Sequence, residues 1–116
     1  MKVLGIVGSY RTGGINDTVV TKILEGTASR GAETEKIFLA DRKIGFCRNC
    51  RQCLQSPGNE PGPCSLEDDV PEIIRKCLAS DILILSSPVN FGSLTAVSKA
   101  FLERMVCLAH WPWGNG

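Results

Sequence analysis

Apolar residues along this chain recur in two rhythms, and the change from one to the other marks out its elements. The run KVLGIV at Lys2–Val7 is almost continuously apolar, which suits a strand covered on both faces, as in a parallel sheet. Gly8 and Ser9 end it. From about Asn16 to Arg30 the apolar Val19, Val20, Ile23 and Leu24 fall at helical spacing, with Gly31 as a stop. TEKIFL at Thr34–Leu39 then reads as a second strand, which completes a strand-helix-strand unit with a right-handed crossover and a parallel pair. Further on, Val70, Ile73, Ile74, Cys77 and Leu78 mark a second helix with Pro71 in its first turn. The acidic Glu67, Asp68 and Asp69 before it read as helix-capping carboxylates. DILIL at Asp81–Leu85 is a third strand, SSPVNFGS a loop, and Thr95–Val106 a third helix behind a Ser93 cap. No internal repeat or low-complexity segment interrupts this order. Parallel strands with helices on both faces predict a doubly wound, three-layer α/β/α domain. Ligands of such domains sit outside the carboxyl ends of the strands.

Composition narrows the partners. A chain of 116 residues, 43% hydrophobic and 22% charged, fits one domain with one modest core. A formal net charge of +1 provides no broad basic face for nucleic acid, so any bound anion must be caught by local geometry. No apolar stretch approaches bilayer-spanning length, and the N-terminus lacks a cleavage signal; we expect a cytoplasmic protein with no membrane partner. In that compartment six cysteines point to metal, cluster or redox thiols rather than disulfides.

The first loop is the candidate anion site, the alternative being a glycine-rich turn before a well-capped helix with no ligand. In Gly8-Ser9-Tyr10-Arg11-Thr12-Gly13-Gly14-Ile15-Asn16-Asp17-Thr18, small and hydroxyl residues lie between a buried strand and a helix N-terminus, where free backbone N–H groups favour a phosphate. Arg11 adds a full charge. Ser9, Asn16 and Thr18 supply side-chain donors, and Gly13 and Gly14 allow close backbone approach. The spacing fits neither the nucleoside triphosphate motif nor the dinucleotide fingerprint. Asp41, near the end of the second strand, reads as a solvated loop carboxylate rather than a ribose ligand.

GSYRTGGIND after the first strand, SPVNFG after the third and CRNCRQC between them resemble the NADPH-dependent FMN reductase superfamily, and within it the iron-sulfur flavoprotein branch. The similarity runs over essentially the whole chain with its motifs in order. It implies a flavodoxin-like fold and an FMN-binding, NAD(P)H-dependent oxidoreductase. In it Ser9, Arg11, Gly13, Gly14, Asn16 and Thr18 would ring the FMN phosphate, and Pro88, Val89, Asn90, Phe91 and Gly92 would border the ribityl chain and isoalloxazine. A flat, partly apolar ring also needs such an apolar wall on physical grounds; read alone, the second loop is a proline-bearing turn with Phe91 as a core plug. Tyr10 departs from the proline that many relatives carry after Gly-Ser, and it is expected to change loop stiffness more than phosphate contact. The flavin supplies the redox chemistry, so no side chain is assigned as a catalytic acid or base.

The segment 40–65 holds four cysteines and three prolines without a sustained period, too long for an idle connection. Cys47, Cys50 and Cys53 follow the C-x2-C-x2-C spacing of ferredoxin-type cluster loops, and Cys64 is available as a fourth thiolate. The resemblance implies a [4Fe-4S] cluster exchanging electrons with FMN. Against that branch's compact motif, the gap LQSPGNEPGP before Cys64 is wide. A structural zinc site ranks lower, because zinc ligands more often come as two separated pairs; reversible thiol chemistry and plain loop cysteines stay open. Arg48 and Arg51 are positioned to favour thiolates, and Cys77 and Cys107 read as buried apolar fillers. His110, Trp111 and Trp113 in the tail receive no chemistry.

The chain is read as a single flavodoxin-like FMN-binding domain over 1–116, with the cysteine-rich insertion at about 40–65. It ends after the third helix where relatives continue, and this leaves its third strand at an open edge. We therefore expect a fragment, a truncated product, or a subunit completing its sheet in a homo-oligomer, dimer or tetramer. Its other expected partners are a small nucleotide and a redox partner. The alternative reading is a non-enzymatic electron carrier, or a zinc- or thiol-stabilised interaction module without flavin.

Overall fold

The apolar run at the start of the chain forms β1 (Lys2–Val7), the central strand of a three-stranded parallel sheet. In this computed structural model, which describes residues 1–54 and 64–108, β1 is flanked by β2 (Glu33–Phe38) and β3 (Ile82–Ser86) in the order β2-β1-β3. Val3 stands opposite Thr34 and Ile82, and Val7 opposite Phe38 and Ser86, so all three strands end at the same rim.

The lack of alternation in β1 has its cause in two covered faces. Val3 and Val7 pack with Val20 and Leu24 of α1 (Ile15–Ala28). Gly5 lets that helix approach closely: a Cβ there would stand 2.6 Å from Val20 Cγ1. On the opposite face, Leu4 and Ile6 pack with Ile37, with Ile73, Ile74 and Cys77 of α2 (Val70–Leu78), and with Phe101 of α3 (Ala96–Arg104). Each such fully buried aliphatic or aromatic side chain is worth about 1.5–3 kcal/mol. The three-layer doubly wound architecture expected from the sequence is the one observed, with element ends shifted by a residue or two, as at fraying termini.

Two local expectations are corrected. Thr95, not Ser93, caps α3: its side-chain oxygen accepts from the Ser98 N–H at 3.3 Å, while Ser93 pairs with Asn90 across a tight turn. Asp69, the N-cap residue of α2, makes no side-chain cap; Asp68 alone accepts a first-turn bond, from the Val70 N–H at 3.1 Å. Asp69 accepts from the Lys43 N–H at 2.6 Å and Asp68 from the Gly45 N–H at 2.8 Å, so both stitch the entrance of the cysteine segment to α2. Among the described strands none pairs with the outer edge of β3, where Ile82, Leu83 and Leu85 are 40–51% exposed. No described helix is long and apolar enough to cross a membrane.

Candidate functional site

The loop after β1 and the loop after β3 meet at the carboxyl rim of the sheet. Gly8 N–H donates to the Ser86 carbonyl at 2.6 Å, and the fully buried Thr95 hydroxyl donates to the Gly8 carbonyl at 2.7 Å. Tyr10 Oη accepts from the Val97 N–H at 3.1 Å, and Ser86 Oγ donates to Asn16 Oδ1. Gly8 is required for this closeness, since a Cβ would lie 1.9 Å from Ser98 Oγ.

Within the first loop, α1 begins at Gly14 in extended conformation with no side-chain cap. Its first-turn amides therefore open outward, the arrangement that holds an anion. Gly13 has φ 79° and nothing within 4 Å of where a Cβ would stand; the conformation demands glycine, and the space over it is open. Its N–H is pinned to Asp17 Oδ2 at 2.7 Å. Asp17 is buried and paired with Lys36 Nζ at 2.6 Å, a pair that holds its carboxyl below the usual carboxylate range. It braces the loop from below with its charge neutralised, a role that the sequence reading missed. Ser9 is buried with its Oγ accepting from the Arg11 N–H at 3.1 Å, while Arg11 and Thr18 are exposed. Asn16 has its carbonyl oxygen committed to Ser86.

In the second loop, the Asn90 N–H donates to the Ser93 carbonyl at 2.8 Å, closing a turn with Phe91 at φ 49° and Gly92 at φ 80°. Two successive positive φ values are the pattern of a type I′ turn, which asparagine or glycine tolerates and phenylalanine resists. Phe91 is not a core plug: it is fully exposed, with Val89 76% exposed beside it. Strain of this kind persists where the surroundings over-determine it. Here it holds an aromatic ring out over the rim.

The cysteine segment builds a second feature. Cys47, Cys50, Cys53 and Cys64 line one cavity of about 270 Å³, together with the entrance of α2 and the residues after α3. Asn49 and Arg51 alternate with the first three cysteines at φ 53° and 64°, and these left-handed residues turn the chain back on itself so that the sulfurs share the cavity. Backbone N–H groups point at them: Asn49 to Cys47 Sγ at 3.4 Å, and Leu66 to Cys64 Sγ at 3.5 Å. A hydrogen bond from the Gln52 backbone, aided by Ser65, draws the Cys50 thiol below its ordinary value. Burial, then the neighbouring sulfur of Cys64, pushes the Cys53 thiol up. Such donors stabilise metal-bound thiolates. Among the described residues no three cysteine, histidine or acidic side chains are close enough to hold one metal ion. Thiolates on one zinc lie within about 2.3 Å of it. Four cysteines lining one cavity are the donor type that an iron-sulfur cluster would take.

Cys77 is buried in the core as expected, but Cys107 joins the wall of the sulfur cavity; a filler role describes only part of it. Arg104 was also missed. Its buried guanidinium pairs with Asp68 at 2.6 and 2.9 Å and donates to the Gly45 carbonyl at 3.0 Å. Burial pushes the Asp68 carboxyl up, and the bonds from Arg104, Gly45 and Val70 outweigh it and hold the group below the usual range. Asp41 is exposed, as expected. Residues 55–63, the wide gap before Cys64, and 109–116, with His110, Trp111 and Trp113, lie outside the described residues.

Three parallel strands in the order β2-β1-β3 with helices on both faces, and two loops joined at the carboxyl rim, define a flavodoxin-like α/β protein. The family profile described as NADPH-dependent FMN reductase matches residues 1–115, and the chain belongs to that family. Its relatives include an iron-sulfur flavoprotein of Methanocaldococcus jannaschii, 41% identical over 90% of this chain and 51% of the relative. Another, of Archaeoglobus fulgidus, is 36% identical over 100% of this chain and 50% of the relative. The chain thus spans about half the length of the curated relatives it matches. Among solved structures it is similar to a flavone reductase, with a TM-score of 0.68, 27% identity, and 90% of this chain and 30% of that one covered. A structure of RosB shares the fold, with a TM-score of 0.67 at 19% identity over 90% of this chain and 42% of that one.

Proposed function

We propose that this chain is the FMN-binding portion of an NAD(P)H-dependent oxidoreductase that also carries a [4Fe-4S] cluster on Cys47, Cys50, Cys53 and Cys64. The observation that carries the flavin reading is the uncapped start of α1 beneath the open Gly13-Gly14 backbone, hydrogen-bonded through Gly8 and Thr95 to the exposed Phe91 loop. When bound, FMN supplies hydride acceptance and single-electron release, and the cluster supplies one-electron storage. The chain's own groups bind and orient. The first-turn amides of α1, with Ser9, Arg11, Asn16 and Thr18, hold the phosphate, and Pro88 to Gly92 form the wall against the ring. No side chain is required to move a proton.

The placement of α3 supports a link between the two features. Its cap, Thr95, belongs to the flavin rim and its last residue, Arg104, to the sulfur cavity. At about 1.5 Å rise per residue, the helix carries one site to within about 14 Å of the other along its axis. The apolar edge of β3, unpaired among the described strands, supports assembly, as a dimer or tetramer, that would cover it.

FMN titration of the full chain, followed by flavin fluorescence, tests the reading. Loss of a charged hydrogen-bonding group is worth about 1.5–3 kcal/mol, so Arg11→Ala is expected to raise the FMN Kd about 10- to 100-fold. No flavin uptake by folded protein, or an unchanged Kd in R11A, refutes it. Anaerobic reconstitution with iron and sulfide, followed by NADPH-driven reduction, tests the cluster and donor.

A further inference from the structure

We infer that Arg104 is the positioning residue of the sulfur cavity: its buried guanidinium, clamped by Asp68 and the Gly45 carbonyl, fixes Cys64 as the fourth thiolate and makes the bound cluster easier to reduce. This rests on the cluster reading above.

The Arg104 side chain is only 3% exposed and that of Asp68 4%. Nη1 donates to Asp68 Oδ2 at 2.6 Å and to the Gly45 carbonyl at 3.0 Å, and Nη2 donates to Asp68 Oδ1 at 2.9 Å. A two-pronged pair fixes the guanidinium plane. With the plane fixed, Nη2 also reaches Cys64 Sγ at 3.5 Å. Asp68 in turn accepts from the Gly45 and Val70 N–H groups. One ion pair therefore bolts both ends of the cysteine segment, Gly45 on entry and Cys64 on exit, to the last residue of α3.

A purely structural role would not require a donor aimed at sulfur. Buried ion pairs are often replaceable by apolar residues at no loss of stability, so folding alone gives no reason for this arrangement. Redox chemistry does. Reduction adds one electron and no proton to a cluster held by four thiolates; no bond is made or broken, and the electron comes from reduced flavin or, in a test, from dithionite. The ion pair turns its positive edge, Nη2, toward Cys64, an orientation that in a low-dielectric wall favours the more negative state, and N–H donors to the sulfurs tune cluster potential.

The full chain, reconstituted anaerobically with ferrous iron and sulfide, is compared with Arg104→Lys and with the neutral pair Asp68→Asn/Arg104→Gln, which leaves no lone buried charge. Iron and acid-labile sulfide per chain, circular dichroism, and the midpoint from an EPR-monitored dithionite titration are read. In D68N/R104Q the reduced-to-oxidised ratio at fixed potential is expected to fall about tenfold, a shift of about 59 mV for one electron. If instead this folded variant loses its iron, the clamp on Cys64 is supported directly. R104K keeps the charge but loses the planar fork, and about a threefold fall is expected. An unchanged midpoint in R104K, or in folded D68N/R104Q, overturns the inference alone. Reconstituted wild type without iron and sulfide overturns the cluster reading and this inference together.

Discussion

Replacing Thr95 by valine deletes one hydroxyl from a fully buried position while keeping the shape of the side chain. That hydroxyl donates to the Gly8 carbonyl at 2.7 Å and accepts from the Ser98 N–H at 3.3 Å, with Ser98 Oγ also at 2.7 Å. A buried carbonyl left without a donor costs about 1–3 kcal/mol, and loss of a threonine helix cap costs about 1 kcal/mol. We therefore expect T95V to lose about 2–4 kcal/mol, a large share of the 5–15 kcal/mol that holds a typical domain. Thr95→Ser, which keeps the hydroxyl and loses a methyl, should lose about 1 kcal/mol. Urea denaturation followed by circular dichroism measures both, and an unchanged slope confirms that the unfolded state is the same. The same bond joins the two rim loops, so the FMN Kd should rise more in T95V than in T95S. A T95V loss below about 0.5 kcal/mol would mean that the Gly8 carbonyl finds another partner, and the coupling between the loops would have to be abandoned.

Phe91 sits where a type I′ turn favours asparagine. We expect Phe91→Asn to leave stability unchanged or raise it by about 1 kcal/mol while weakening FMN binding; thermal melts and flavin titration run on the same sample decide, and tighter binding would contradict the ring-wall role. Asp68 gives a pH prediction. Its folded carboxyl is held below the ordinary value, so its stabilisation is whole above the unfolded value of about 3.9 and is lost as pH falls through the lower folded value. Asp68→Asn should cost about 3 kcal/mol at pH 7, with the gap to wild type closing below about pH 4. Urea midpoints across pH 2–7 test this, and a constant gap would show that the pair is not the source.

Much of the scaffold was legible because local pattern and final burial agree. The unbroken apolar run of β1 follows from helices on both its faces, and α1 announces itself by spacing alone. The uncapped start of α1 was legible too, since glycines after a buried strand and before a helix supply no side-chain cap wherever the rest of the chain goes. Less legible was anything decided across distance. Ser93 reads as the cap in the sequence; the Gly8 carbonyl, 87 positions away, holds the Thr95 hydroxyl where it caps α3 instead. Asp68 and Asp69 read as ordinary helix-start carboxylates until Lys43, Gly45 and Arg104 arrive beside them. Read alone, the second loop left Phe91 between core filling and a ring wall, because nothing local reveals that its turn projects it outward.

What the sequence by itself determined is the order of strands and helices, the glycine-rich loop between β1 and α1, and the set of four candidate thiols. These are properties of residue type and near-neighbour spacing. Only the tertiary structure decided that the loop and the Phe91 turn share one rim, that Cys107 and Arg104 join the cysteine cavity, and which carboxylate faces the buried guanidinium. Such contacts join residues tens of positions apart, 59 between Gly45 and Arg104. Their partners are chosen by how the sheet and helices stack, which no local pattern encodes.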